Sequence, residues 1–157
     1  MIYLSLKFLH IVGAILFLGN ITTGVFWKAH ADKSRDPAII AHALDGIIRS
    51  DRLFTIPGVL IILAAGIAAA IVGGLPMLRT EWLAAGFILL SIAGIAFSAR
   101  IAPLQRRMRD LARASTDPAA FDWATYEKLS RDWAIWGSVA LISPFLAAAL
   151  MVFKPSW

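Results

Sequence analysis

Four runs of apolar residues dominate this chain: Ile2–Trp27, Leu53–Leu75, Trp82–Ile101 and Trp133–Phe153. A helix rises about 1.5 Å per residue, so each run is long enough to cross the ~30 Å hydrocarbon core of a bilayer. Backbone groups in lipid must be satisfied within the segment, which selects helices, and the alternation of a barrel strand is absent. The expected fold is therefore all-α, a polytopic integral membrane four-helix bundle. With 59% hydrophobic residues among 157 and a mean hydropathy of +0.74, there is too little polar surface for a soluble domain. One transmembrane domain over residues 1–157 accounts for the whole length. The first run is too long for a signal-peptide core, has no basic segment before it and lacks a clear cleavage site. It is expected to remain as the first helix.

Direction follows from Lys and Arg. The first connection carries Lys28, Lys33, Arg35, Arg49 and Arg52, and the third carries Arg100, Arg106, Arg107, Arg109, Arg113, Lys128 and Arg131. The short "GGLPMLRTE" connection holds only Arg79 and the tail only Lys154. The positive-inside rule then puts connections one and three in the cytoplasm, and both termini and the "GGLPMLRTE" turn on the outer side. Trp27, Trp82, Trp133, Trp136 and Trp157 fall near span ends, as interfacial anchors do. Arg106, Arg107, Arg109 and Arg113 are expected at anionic headgroups. Arg100 has three readings: snorkelling, a lipid phosphate, or a pair with Asp132.

The two cytoplasmic connections resemble each other at a constant offset of 81 residues: "SRDPAIIAHALDGIIRSD" begins at Ser34 and "STDPAAFDWATYEKLSRD" at Ser115. Each has an Asp positioned to cap a helix and a Pro in its first turn. Gly13 aligns with Gly94 at the same offset. This predicts two helical-hairpin repeats, about 1–80 and 81–157, related by a pseudo-twofold along the membrane normal. In the first connection Ile39, Ile40, Leu44, Ile47 and Ile48 make an apolar stripe, with His42, Asp45 and Arg49 more polar-facing. That is an amphipathic connecting helix, lying at the cytoplasmic interface or packed under the bundle. Thr55, Pro57 and Gly58 mark a kink or close crossing, Gly94 and Ser98 a small-residue packing pair, and Ser143–Pro144 a bend.

The first span carries the most chemistry. At 100° per residue, His10, Gly13, Phe17, Asn20 and Gly24 share an arc of about 80°, with Lys7 about 60° to one side of His10. Such a face is expected to point into the bundle, since polar groups in lipid are costly. Three readings fit it. His10 and Asn20 are hydrogen-bonded polar glue, with Lys7 snorkelling outward. Or His10 is an axial ligand of haem iron, with Gly13 leaving space for the macrocycle, Phe17 packing on it and Lys7 near a propionate. Or the face belongs to a transport or proton path, which would have to continue from Asn20 through Thr22, Thr23 and Lys28. The repeat partner of His10 is Ser91, and His30 and His42 lie a membrane thickness away, so a bis-histidine haem within this chain is not expected; five-coordinate haem, a weak second ligand from Met77, or a haem shared in a homodimer remain open. A metal site at His30 and His42 competes with the reading of Asp32, Asp36 and Asp45 as caps and solvated charges.

Much else is excluded. Without cysteine there are no disulfides, thiolate metal sites or iron–sulfur clusters. No phosphate-binding, nucleophile-elbow, zinc-protease or dinucleotide motif occurs, and no acidic residue is expected buried in a span. The net charge of +5 flanks apolar spans, so no nucleic-acid partner is expected.

The opening "YLSLKFLHIVGAILFLGN", the charged loop and the three further spans resemble a bacterial family of small integral membrane proteins of unknown function. The first helix also resembles that of the haem-containing membrane protoporphyrinogen oxidases and of copper-resistance D-type membrane domains. Lys7, His10 and Gly13 match a K-x-x-H opening with Gly three residues on, and His30 approximates a later histidine. "NITTGVFWKAH" departs from the aromatic and Pro-Arg stretch of those oxidases. The resemblance implies haem b held through His10 and electron transfer. The expected function is a haem- or quinone-linked membrane redox protein with a membrane redox partner. Its alternative is a non-enzymatic transporter or accessory subunit. The expected partners are the lipid bilayer and a second copy in a homodimer.

Overall fold

A computed structural model describes residues 1–77, 79–115 and 117–155; Trp157, one of the expected anchors, lies outside them. Helix α1 (Ile2–Ser34) runs the full first span and beyond it. It ends where Arg35 takes a left-handed conformation (φ 52°). Asp36 then caps α2 (Pro37–Ser50), its Oδ1 accepting from the amides of Ala38 (2.8 Å) and Ile39 (3.4 Å). A π turn, Asp51–Thr55, joins α2 to α3 (Ile56–Val72) without a break. After the Gly73–Thr80 connection, α4 (Glu81–Ala96) passes through a second π turn, Phe97–Ile101, into α5 (Ala102–Ala114). A single 3-10 turn, Pro118–Ala120, precedes α6 (Trp123–Phe153).

Four continuous helices thus result, each long and apolar enough to cross a membrane, and the described residues contain no strand. The second and third extend well past the expected spans, over Pro37–Val72 and Glu81–Ala114. The physical reason is the π turn. A proline in a helix lacks an N–H and its ring clashes with the carbonyl four residues earlier. Each π turn stands just before such a proline, Pro57 or Pro103, and widens the helix where that carbonyl must move aside.

Helix α1 packs along α3, and α4 along α6, giving two hairpins. The hairpins join chiefly at one end, where α2 lies on α5 and the end of α1 meets the start of α6. The core sits there: Ile40, Leu44 and Met108 are fully enclosed, with Leu104, Ala112, Phe121 and Tyr126 around them. The stripe on α2 is therefore turned under the bundle, with Ile40, Leu44 and Ile47 buried, while Ile39, His42 and Arg49 are exposed. Elsewhere large apolar side chains face outward along all four helices, among them Phe8, Ile15, Leu60, Ile71, Ile88, Ile95, Ile142 and Val152. A surface of that composition belongs in lipid.

Moved by 81 residues, α1 falls on 83–115, against Glu81–Ala114, and Pro37–Val72 falls on 118–153. Asp36 and Asp117 share one backbone conformation (φ −114° and −115°) and one capping role. The correspondence has limits. Phe121 turns into the core against Trp123 (4.6 Å) and Tyr126 (5.7 Å), which interrupts the second copy of α2 and leaves Asp122 to start α6. Hydrogen bonds from Thr125 hold the Asp122 carboxyl below the usual carboxylate range. Gly94 corresponds to Gly13 but has open space around it, and Ser98 spends its hydroxyl on the Gly94 carbonyl (2.8 Å), so these two do not form the expected packing pair. Arg109 and Arg113 reach Asp45 on α2 (3.9 and 2.5 Å) and so are not free for headgroups, whereas Arg106 and Arg107 stay exposed. Arg100 lies over the Trp136 ring at 5.3 Å, not against Asp132.

Candidate functional site

Away from the α2–α5 end the hairpins part around a cavity of about 670 Å³. Its walls come from α1, α3, α4 and α6, with Met77 from the Gly73–Thr80 connection. They are almost wholly aliphatic and aromatic. Two hydroxyls reach the wall, and both are spent on their own helix: Thr22 donates to the Leu18 carbonyl (2.7 Å) and Thr23 to that of Gly19 (2.5 Å). Among the described residues, the one ionisable side chain on the wall is His10.

His10 is held in a defined way. Its Nδ1 lies 2.8 Å from the Ile62 carbonyl oxygen on α3. A carbonyl only accepts, so Nδ1 carries the hydrogen and, in the neutral ring, Nε2 keeps its lone pair. The ring reaches that carbonyl because position 66 is glycine: a Cβ there would stand 2.8 Å from Nδ1 and 2.9 Å from Cε1. The sequence thus supplies an imidazole on one helix and, on the next, a carbonyl with a glycine one turn beyond to admit it.

The other residues of the first-helix face divide. Phe17 is buried and lines the cavity with His10. Gly13 makes the α1–α3 crossing: a Cβ on it would stand 2.9 Å from Ile61 Cγ2 and 3.1 Å from the Gly58 carbonyl. The space expected there for a macrocycle is filled by α3. Lys7 is exposed and off the cavity wall. Met77 is on the wall, on the same side as His10.

Asn20 belongs to a different cluster, between the cavity and the α2–α5 end. Its Nδ2 donates to Asp51 Oδ1 (3.1 Å) and Thr55 Oγ1 (2.8 Å). Thr55 donates to Asp51 Oδ1 (2.9 Å), and Gln105 Nε2 to Asp51 Oδ2 (3.1 Å). Asp51, Thr55 and Gln105 are all buried. The expectation of no buried acid in a span fails here, because the second helix does not begin at Leu53 but carries Asp51 inside through its π turn. Closer to the α2–α5 end, Lys28 is 3% exposed, with Nζ 2.6 Å from Asp32 Oδ2 and 2.7 Å from Ser130 Oγ, over the rings of Tyr126 (5.6 Å) and Trp133 (5.1 Å). Tyr126 donates to Asp32 Oδ1 (2.5 Å). Asp32 is thus the acceptor of a three-donor cluster, not a cap or a solvated charge. Sequence reasoning found Asn20 and Lys28 but not their partners, which are Asp51 and Thr55 of the π turn for Asn20, and Asp32 on α1 and Ser130 on α6 for Lys28. The burial of Asp51 had one signal, Pro57 following a continuous helical pattern.

His30 and His42 are both exposed, His30 stacked on Phe26 (6.3 Å). Among the described residues no three His, Asp or Glu side chains converge, so these histidines are not gathered into a metal site.

The family model described as predicted integral membrane protein (DUF2269) matches residues 4–155. The chain belongs to this family. No curated protein and no solved structure matches it. For a DUF2269 chain the bilayer is accordingly the established partner, and the four apolar helices are its spans. The expected likeness to haem oxidases and copper-resistance domains is carried by Lys7, His10, Gly13 and, more loosely, His30. Of these the structure puts only His10 on the cavity wall.

Proposed function

We propose that this protein is a membrane redox protein whose cavity holds a flat apolar cofactor, haem b, with His10 Nε2 as axial ligand. The observation that carries the reading is the His10–Ile62 bond: it fixes the tautomer that leaves Nε2 as a Lewis base, the arrangement common to metal-ligating histidines. A cavity of about 670 Å³ falls within the range of cofactor sites, roughly 300–1,000 Å³. Phe17 offers an aromatic surface, and Met77 would bring a thioether to the same cavity. When bound, the haem would supply one-electron transfer. The chain's own residues set the imidazole's orientation, exclude water and keep the site at low dielectric. Lys7 is left without a part in this reading, apart from electrostatics at the end that bears the termini. A quinone in its quinol form, whose O–H would donate one hydrogen bond to the Nε2 lone pair, fits the same wall. The basic connections favour insertion in a bacterial inner membrane with both termini on the outer side. Four spans with long apolar perimeters are compatible with a homodimer.

The His10–Ile62 bond also favours a second reading, in which it only ties α1 to α3 and the protein is a non-enzymatic transporter or accessory subunit. One experiment separates them: the absorption spectrum of detergent-purified protein, oxidised and dithionite-reduced, beside His10→Ala. The redox reading expects a Soret band that shifts on reduction and is lost in the variant. A colourless preparation from haem-replete cells, with the variant equally folded, rejects haem.

A further inference from the structure

Asp51 is a carboxyl group in an unfavourable place. It is 6% exposed, and among the described residues no Lys, Arg or His nitrogen lies within 4.0 Å of it. A buried charge without a counter-charge is costly, and either a cation or a proton can neutralise it. The geometry disfavours the cation. Asn20, Thr55 and Gln105 all turn N–H or O–H groups toward the carboxyl oxygens, which leaves no shell of neutral oxygens to share a metal ion. A proton needs only a route.

A small cavity of about 40 Å³ supplies one, with Asp51, Gln105, Gly24 and Trp133 on its walls. It has room for about one water molecule, whose share of liquid volume is roughly 30 Å³. A carboxylate offers about four acceptor positions. Three of those on Asp51 are occupied. Trp133, 7% exposed, has a buried Nε1 with no hydrogen-bond partner among the described residues. One cavity of single-water size thus borders both an acceptor with a spare position and an indole with an unsatisfied donor, the setting in which buried water is found.

We propose that Asp51 is a proton-binding site, served by a water molecule that links its carboxyl to Trp133 Nε1. The proton comes from water at the α2–α5 end, where the Lys28–Asp32–Ser130 cluster packs on the Trp133 ring. The linking water gives one proton to the carboxyl oxygen and takes one from hydronium at that end, so one O–H bond breaks and one forms at each transfer, the water is regenerated and no electrons are exchanged. The charged groups of the surrounding elements are engaged elsewhere. Lys28 pairs with Asp32, Arg100 covers Trp136, and Arg109 holds Asp45 and Asp110. Arg49, Arg52, Arg131 and Asp132 are exposed. The inference stands apart from any cofactor at His10 and is tested without one.

The test is pH-difference infrared spectroscopy of the full chain in lipid nanodiscs, from about pH 4 to pH 10. A carbonyl stretch of a protonated carboxylic acid in apolar surroundings is expected to appear on acidification and to shift in heavy water. It should vanish in Asp51→Asn and shift in Trp133→Phe. Thr55→Val and Gln105→Leu each remove one donor and should also move the band; they carry the assignment where Asp51→Asn does not fold. A spectrum in which every titrating carboxyl band survives Asp51→Asn, or ignores both donor deletions, overturns the proton site. A band that Trp133→Phe leaves unmoved overturns the water link.

Discussion

Gly66→Ala tests the geometry of His10 through a competition between two effects of opposite sign. In a helix interior, alanine is favoured over glycine by up to about 1 kcal/mol, so the substitution ought to stabilise α3. Against this stands the imidazole. The new Cβ would lie 2.8 Å from His10 Nδ1 and 2.9 Å from Cε1, closer than real Cβ contacts come. The ring must withdraw, and the 2.8 Å bond to the Ile62 carbonyl is lost. A hydrogen bond between membrane helices contributes about 0.6–2 kcal/mol, and overpacking a close contact costs about 1–3 kcal/mol. The clash wins, for a net loss of roughly 1–3 kcal/mol. In a His10→Ala background there is no ring to displace, and the same substitution should be neutral or stabilising. The pair is therefore expected to show a coupling of about 2 kcal/mol in a double-mutant cycle, read by unfolding in mixed micelles. The reasoning is refuted when Gly66→Ala stabilises both backgrounds equally, since the imidazole would then not be packed against position 66.

Other contacts give further expectations. Gly58→Ala should weaken the α1–α3 hairpin by about 1–3 kcal/mol, because its Cβ would meet Gly13 O and Phe17 N at 3.1 Å, and backbone cannot move aside. Gly94→Ala, with nothing within 4 Å, should be neutral or stabilise by up to about 1 kcal/mol in the same assay. Within the Lys28–Asp32 pair the two deletions are unequal: Asp32→Ala strands a side chain 4% exposed and should cost about 3 kcal/mol or more, whereas Lys28→Ala leaves Asp32, 30% exposed, with two hydroxyl donors and should cost less. Equal losses on denaturation would show that Lys28 reaches water. Arg35→Gln should change stability by less than about 1 kcal/mol, because its ion pair with Glu127 is exposed on both sides. The lowered Asp122 carboxyl gives a pH dependence with a defined sign: its contribution is complete above the ordinary carboxylate value and is lost as pH falls through the lowered one. Trp123 fluorescence should follow the loss of the cap on acidification, and Asp122→Ala should abolish that step.

The parts legible in the sequence were those fixed by local physics. The spans follow from apolar length, and the Asp36 and Asp117 caps from two-residue motifs. That His10, Gly13, Phe17 and Asn20 face inward follows from the helical period. What each meets does not, because period says nothing about the partner helix. His10 needed Ile62 and Gly66, and Asn20 needed Asp51 and Thr55 of the second helix. Asp51 lies two residues before the apolar run that begins at Leu53, and the π turn that carries it inside has no hydropathy signal. Gly94 shows the converse: a glycine at small-residue spacing is only a packing site when another helix lies against it.

The two π turns also bear on which changes in chain length this fold accepts. A π turn accommodates one residue more than the α-helical turn it replaces, so it separates two stretches of helix whose faces are out of phase by about 100°. Deleting one residue elsewhere in Pro37–Val72 would swing every side chain beyond it off its neighbour by that angle. A deletion within Asp51–Thr55 would instead close the turn to ordinary helix and keep both faces in phase, at the expense of the carbonyl clash at Pro57. Phe97–Ile101 stands in the same relation to Pro103. Chains descended from a common ancestor with this one are therefore expected to differ by single-residue gaps at these two points, accompanied by loss of the proline, and to keep the helical count constant between them.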